Sequence, residues 1–173
     1  MGAHALFYVD NFARNRQLTA VKAIMKNLFD TPVYNEAITR LNRLSPESQR
    51  QWGKMDVAQM LAHVSQSFKV PLTKSKLPRI FIGRLLGPLF KSKLYNDIPW
   101  KKNLPTSPDF KIRDSREFEA EKENLRQLVE TFYAWGPEGI TKHPHPFFGS
   151  FTPEQWGQSM YKHMDHHFRQ FGV

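Results

Sequence analysis

Two histidines four residues apart, His163 and His167, stand in the C-terminal stretch FTPEQWGQSMYKHMDHHFRQFGV, residues 151 to 173. On a helix that spacing sets their Cβ atoms about 5 to 6 Å apart on one face, so both imidazoles can reach a single metal ion. A pair of core histidines, each satisfied by a backbone or carboxylate partner, is the plainer alternative. For two rings buried side by side the metal is favoured. Neutral imidazoles taken out of water each need hydrogen-bond partners, and one ion occupies a nitrogen on both. His166 falls at the edge of the same face and is a spare. Two ligands hold an ion weakly, so a third must come from elsewhere in the chain. The sequence contains no cysteine. That excludes disulfides, zinc ribbons, iron–sulfur clusters and a thiol nucleophile, and leaves histidine and carboxylate as ligands for any transition metal.

The helix that must carry the pair is marked at both ends. Thr152 with Gln155 can close a capping box, Pro153 suits the first helical position, and Gly172 marks the stop. At about 100° per residue, Trp156, Met160, His163, Met164, His167 and Phe171 share one side, with Lys162, Asp165 and Arg169 opposite. A second capping box, Asp56 with Gln59, opens a helix whose Val57, Met60, Leu61, Val64 and Phe68 form an apolar stripe, and Pro71 is expected to end it. His63 lies on the flank of that stripe, from which it can turn toward a neighbouring helix. A lone flank histidine is ordinarily a partly buried surface residue; this one matters because a third ligand is wanted.

Two further helices are predicted, one from Thr31 and Pro32 to Leu44, the other from Asp114 and Glu117 to Trp135, where Gly136 and Pro137 stop it. The loop GITKHPHPFFGS then leads into the histidine helix. Its His143 and His145 could stand at the site mouth or be ordinary surface residues. Residues 71 to 113 are rich in proline and should be mostly loop, with a short helix in LPRIFIGRLLGPLFKSKLYND interrupted at Gly87 and Pro88. So long a connection is commonly a lid or an entrance wall. Alternatively Ile80, Phe81, Leu85, Leu86, Leu89 and Phe90 cap one end of the core or meet a second subunit, making a homodimer. No strand pattern, internal repeat, P-loop or dinucleotide-binding glycine motif is present.

A length of 173 residues suits one domain. The well-patterned part begins near Met25, so residues 1–24 are expected to be an extension to a domain spanning 25–173. The start of the chain is a poor secretory signal, and the apolar run Ile80 to Phe90 is too short to span a bilayer and contains Arg84. A soluble, cytoplasmic protein with no transmembrane segment is the expectation. The net charge is +9, and residues 69–102 hold nine Lys or Arg against the single Asp97, a local +8. Such a block attracts anionic substrates, acidic membrane surfaces or nucleic acid phosphates; a solvated basic insertion is the plainer reading. Few aromatic residues interleave with the charges, and nucleic acid is not expected as a partner.

With the helices placed, WGKMDVAQMLAHV (52–64), HPFFGSFTPEQWG (145–157) and KHMDHHFRQFG (162–172) resemble the DinB/YfiT-like superfamily of candidate metalloenzymes, more closely its branch of uncharacterised small bacterial domains. Order and spacing agree from about Met25 to the end. The resemblance implies an all-α fold, a four-helix bundle wired up-down-down-up, with the basic connection elaborated between the second and third bundle helices. It also implies a divalent metal held by one His of the second bundle helix and an HxxxH pair on the last, which by position are His63, His163 and His167. His166, Gln170, His145 and Gln59 are the candidates for supporting or site-mouth roles. The family's last motif usually ends His-Arg-Gly-Gln; here it reads His167-Phe168-Arg169-Gln170, so a role for that Arg does not carry over.

Three neutral imidazoles leave positions open on zinc, nickel or iron, which the sequence does not distinguish, for water or substrate. The first functional expectation is therefore a metal-dependent enzyme acting on a small molecule, of hydrolase or thiol-dependent transferase type. Any sulfur chemistry would need a low-molecular-weight thiol from outside the chain. The competing expectations are a non-enzymatic module that binds nucleic acid or anionic lipid through residues 69–102, and a structural helical bundle without metal.

Overall fold

The computed structural model describes residues 25–173; the proposed extension at 1–24 lies outside the described residues. These fold into five α-helices: α1 (Thr31–Arg43), α2 (Val57–Leu72), α3 (Phe81–Lys91), α4 (Phe118–Gly139) and α5 (Pro153–Gln170). Two short 3-10 turns, Ser92–Leu94 and Pro108–Phe110, lie in the long connection between α2 and α4. No strand occurs among the described residues, where the nearest thing is an isolated antiparallel bridge between His145 and Gly149. None of the described helices is long and apolar enough to cross a membrane.

Local signals explain the helix ends. At α2 the Gln59 N–H donates to Asp56 Oδ1 at 2.8 Å and the Asp56 N–H donates to Gln59 Oε1 at 3.1 Å. At α5 Thr152 and Gln155 make the same reciprocal pair at 3.2 and 3.1 Å. Each box occupies backbone donors that the first helical turn leaves without partners. For α4 the cap is Glu117, whose carboxylate accepts from the Ala120 N–H, while Asp114 pairs instead with Arg116. The regular part of α4 breaks at Gly136, with φ 63° and ψ −175°, a conformation essentially confined to glycine, and Pro137 follows it.

The sequence expectation fails at two prolines. Pro71 does not end α2, which continues to Leu72 with the Pro71 carbonyl accepting from the Thr141 N–H at 2.8 Å. Nor is α3 interrupted at Gly87 and Pro88; it is continuous. Its only buried residues are Gly83 and Gly87, one turn apart, and they lie so close to Phe147 and Phe148 that a Cβ on either glycine would collide with the Phe147 backbone. That close approach holds the helix through a residue pair that would otherwise weaken it.

Four helices share one core. Leu41 of α1, Met60, Leu61, Val64 and Phe68 of α2, Leu125, Val129 and Phe132 of α4, and Trp156, Met164 and Phe168 of α5 are all buried. Each contributes about 1.5–3 kcal/mol relative to exposure. Phe132 stacks on Phe29 with centroids 4.6 Å apart and meets Phe68 edge-on at 5.6 Å. Arg40 of α1 ties the same core to the end of α5, donating to Asp165 Oδ1 at 2.8 Å and to the Val173 carbonyl at 3.0 Å. α3 stands outside this core, and Ile80, Phe81, Leu85, Leu89 and Phe90 are exposed rather than capping it.

Candidate metal centre

The capping box at Asp56 fixes the phase of α2, so that with Met60 and Val64 turned into the core, His63 faces α5. There it meets His163 and His167. One nitrogen from each ring lies within 4.8 Å of the other two. His63 is 5% exposed and His167 7%.

What the other nitrogen of each ring touches decides the tautomer. His63 Nδ1 is 2.8 Å from the Phe110 carbonyl, which can only accept, so Nδ1 carries the proton. His163 Nδ1 is 2.9 Å from Ser67 Oγ; that hydroxyl already donates to the Val64 carbonyl at 2.6 Å and is left as an acceptor. His167 Nδ1 is 2.8 Å from Gln170 Oε1, and the amide is oriented by its Nε2 donating to the Trp52 carbonyl at 2.8 Å. All three rings therefore hold their proton on Nδ1 and present a bare Nε2 lone pair.

His63 Nε2 and His163 Nε2 then face each other at 3.1 Å with no proton between them. Two acceptor lone pairs at that distance repel unless a cation answers both. A shared proton is opposed by the surroundings. Burial lowers the His63 pKa, and burial together with the neighbouring His167 and His63 holds His163 well below the ordinary imidazole range. Burial, then His63, pushes His167 down to about 3. A divalent ion suits the same three nitrogens: neutral imidazole is the ligating form, and at Zn–N distances of about 2.0–2.1 Å tetrahedral ligand atoms stand roughly 3.3 Å apart. His63, His163 and His167 could hold such an ion.

The walls are aromatic. The Trp100 ring lies 5.7 Å from that of His163 and 5.6 Å from that of His166, and Trp52 packs edge-on against His166 at 5.8 Å. Trp100 is held by its indole N–H donating to the Lys93 carbonyl at 2.8 Å. Lys162, read from the sequence as lying on the polar side of α5, is instead 5% exposed. Its Nζ donates to the carbonyls of Lys93 and Asn96 at 2.7 and 2.9 Å. Burial lowers its pKa to about 8. The segment after α3 thus folds over the outer side of α5 and is latched there.

The remaining candidates sit as follows. Gln170 contacts His167 directly, and its side chain packs so closely on Gly53, at φ 84°, that a Cβ there would meet the amide at 2.5 Å. His166 is half-buried beside the three rings, between Trp52 and Trp100. His145 is not at the mouth: its Nδ1 accepts from the N–H groups of Phe147 and Phe148 at 3.0 and 3.2 Å, and its ring packs on Phe148, Phe151 and Trp156. There it shapes the turn that leads into α5. Gln59 also stands elsewhere, in the capping box and donating to the Asp114 carbonyl at 3.1 Å. His143 contributes a backbone N–H to Thr141 Oγ1. Sequence reasoning missed Ser67, Phe110, Trp100 and Lys162. Ser67 had a signal, since it lies four residues after His63 as a hydroxyl within a buried stripe; the others come from loops, or from the covering of α5 by a loop, and have no periodicity to read.

No curated protein and no solved structure matches the chain. Residues 24–172 match the family described as "Protein of unknown function (DUF1569)". The match takes in the helices that supply all three histidines and the loops that wall them, and the chain belongs to that family.

Proposed function

We infer that this protein is a metal-dependent enzyme, with His63, His163 and His167 as the ligands and an open position for a small-molecule substrate. The observation that carries the reading is the pair of facing Nε2 lone pairs at 3.1 Å in a buried site whose Nδ1 protons are all engaged elsewhere. A divalent ion held by three imidazoles supplies Lewis acidity, lowering the pKa of water toward about 7 or favouring the thiolate of an external thiol. Phe110, Ser67 and Gln170 hold the rings in the ligating tautomer. Trp100 and Trp52 keep the surroundings apolar, which strengthens any charge interaction in the site. With no cysteine in the chain, a sulfur nucleophile would arrive as a cosubstrate. The reaction is of the hydrolase or thiol-dependent transferase type. The fold that goes with this reading is a DinB-like four-helix bundle, up-down-down-up, made of α1, α2, α4 and α5; it is supported by the shared core of those helices and by the position of α3 outside it.

Elemental analysis of protein purified without a histidine tag tests the reading. Close to one equivalent of a transition metal per chain is expected, with loss of that metal in His167→Ala. Ser67→Ala should weaken affinity about 10- to 100-fold, because the His163 Nδ1 proton loses its acceptor. Full metal content in folded His167→Ala protein would remove the reading.

A further inference from the structure

α3 is built inside out. Gly83 and Gly87 are its only buried residues and lie against Phe147 and Phe148. On the helix, Phe81, Leu85 and Leu89 fall about 180° from that glycine face. Their exposures are 84%, 72% and 69%, and Ile82 beside them is 55% exposed. The glycines bring the backbone close to the protein so that the large apolar side chains stand out from it. A helix stabilised only by its own protein would place them the other way round. Side chains this exposed form a ridge, not a groove, and the loop that follows exposes Ile98 and Leu104 as well, at 67% and 49%.

Cations flank the ridge in the sequence. Lys74, Lys76, Arg84, Lys93, Lys101 and Lys102 are exposed, and none of them pairs with a carboxylate among the described residues. On the helical wheel Arg84 borders the apolar arc, where a helix lying in a bilayer interface keeps a basic residue at headgroup level, while Lys91 is turned back to the protein and donates to the Ser150 carbonyl. The segment's +8 argues against a second copy as the occupant, since a symmetric contact would bring two such segments together. It argues, less strongly, against residues 1–24 too, whose Arg14, Arg16 and Lys22 outweigh Asp10. A protruding ridge with a positive border fits a deformable anionic surface better than a rigid protein groove.

We propose that α3 and its basic flanks dock the protein on the surface of a bilayer containing anionic phospholipid. Phe81, Ile82, Leu85 and Leu89 enter the headgroup–acyl boundary, and the flanking Lys and Arg meet the phosphates. Nothing in this depends on the histidine site.

Sedimentation of the full chain with vesicles tests it. Binding is expected to vesicles of equal parts phosphatidylcholine and phosphatidylglycerol, not to phosphatidylcholine alone, and to weaken as salt is raised. The double variant L85S/L89S leaves the glycine face intact and should keep the wild-type melting temperature while losing at least about tenfold in binding. Replacing Lys74, Lys76 and Arg84 together by Gln should lower binding on the order of a hundredfold. Three outcomes overturn the proposal: no binding to the anionic vesicles at low salt, undiminished binding by folded L85S/L89S, or a dimer in solution that L85S/L89S dissociates while the wild-type protein ignores lipid.

Discussion

The three histidines that converge differ from His145 in what faces Nδ1. In His63, His163 and His167 that nitrogen meets an acceptor and holds the proton. In His145 it meets two backbone N–H donors, so Nδ1 is bare and the proton sits on Nε2. Charging His145 would place a proton against those donors, and burial, with Arg79 nearby, lowers its pKa to about 4. The sign follows from linkage. The unfolded histidine, with pKa about 6.5, binds a proton that the folded one refuses, so stability is whole above that pH and declines as pH falls toward the folded value. By pH 5 the loss from this one group reaches about 2 kcal/mol. In His145→Asn the side-chain oxygen can accept the same two N–H bonds without titrating. Thermal melts at pH 7 and pH 5 should therefore fall by about 4–8 °C less in the variant than in the wild type. Equal falls in both proteins would mean that His145 charges without breaking its turn.

At the scale of elements, rules acting within one or two turns were legible and contacts across the chain were not. The two capping boxes, the stop at Gly136 and the stripes of α2 and α5 could all be read, because each depends on residues three or four positions apart. The burial of Lys162 could not, since its partners Lys93 and Asn96 are 69 and 66 residues away and come from a loop without periodicity. The continuity of α3 through Gly87 and Pro88 escaped for the same reason: it depends on a close approach to Phe147. Lys162→Met tests whether that loop is latched as described. Removing the ammonium leaves the Asn96 carbonyl without its donor and the Lys93 carbonyl with the Trp100 indole N–H alone, at a cost of about 1–3 kcal/mol. Hydrogen exchange over 92–102 should quicken, while the amides where α2 packs on α4 keep their protection. Unchanged exchange over 92–102 would show that the Trp100 contacts hold the loop without the lysine.

For the whole molecule, the centre exists only when α2 is packed against α5. His163 and His167 are near neighbours in any helical state of residues 151–173, but His63 is a hundred residues away and joins them through the tertiary fold. That long pairing is why His63 was readable as the third member only through a family resemblance and the need for one, whereas the HxxxH pair was plain. An ion held there would also be coupled to folding. An unfolded chain offers at most the local pair, so a divalent ion held by all three rings would bind the native state preferentially and stabilise it by about 2.7 kcal/mol with free metal a hundredfold above Kd. For a chain of this size that is a rise in Tm of about 5–11 °C. Titrating zinc, nickel or iron(II) into chelator-treated protein should reproduce the rise for at least one ion, and EDTA should reverse it. His63→Ala is the informative variant: a shift carried by His163 and His167 alone would survive it, whereas a centre that bridges two helices loses most of it.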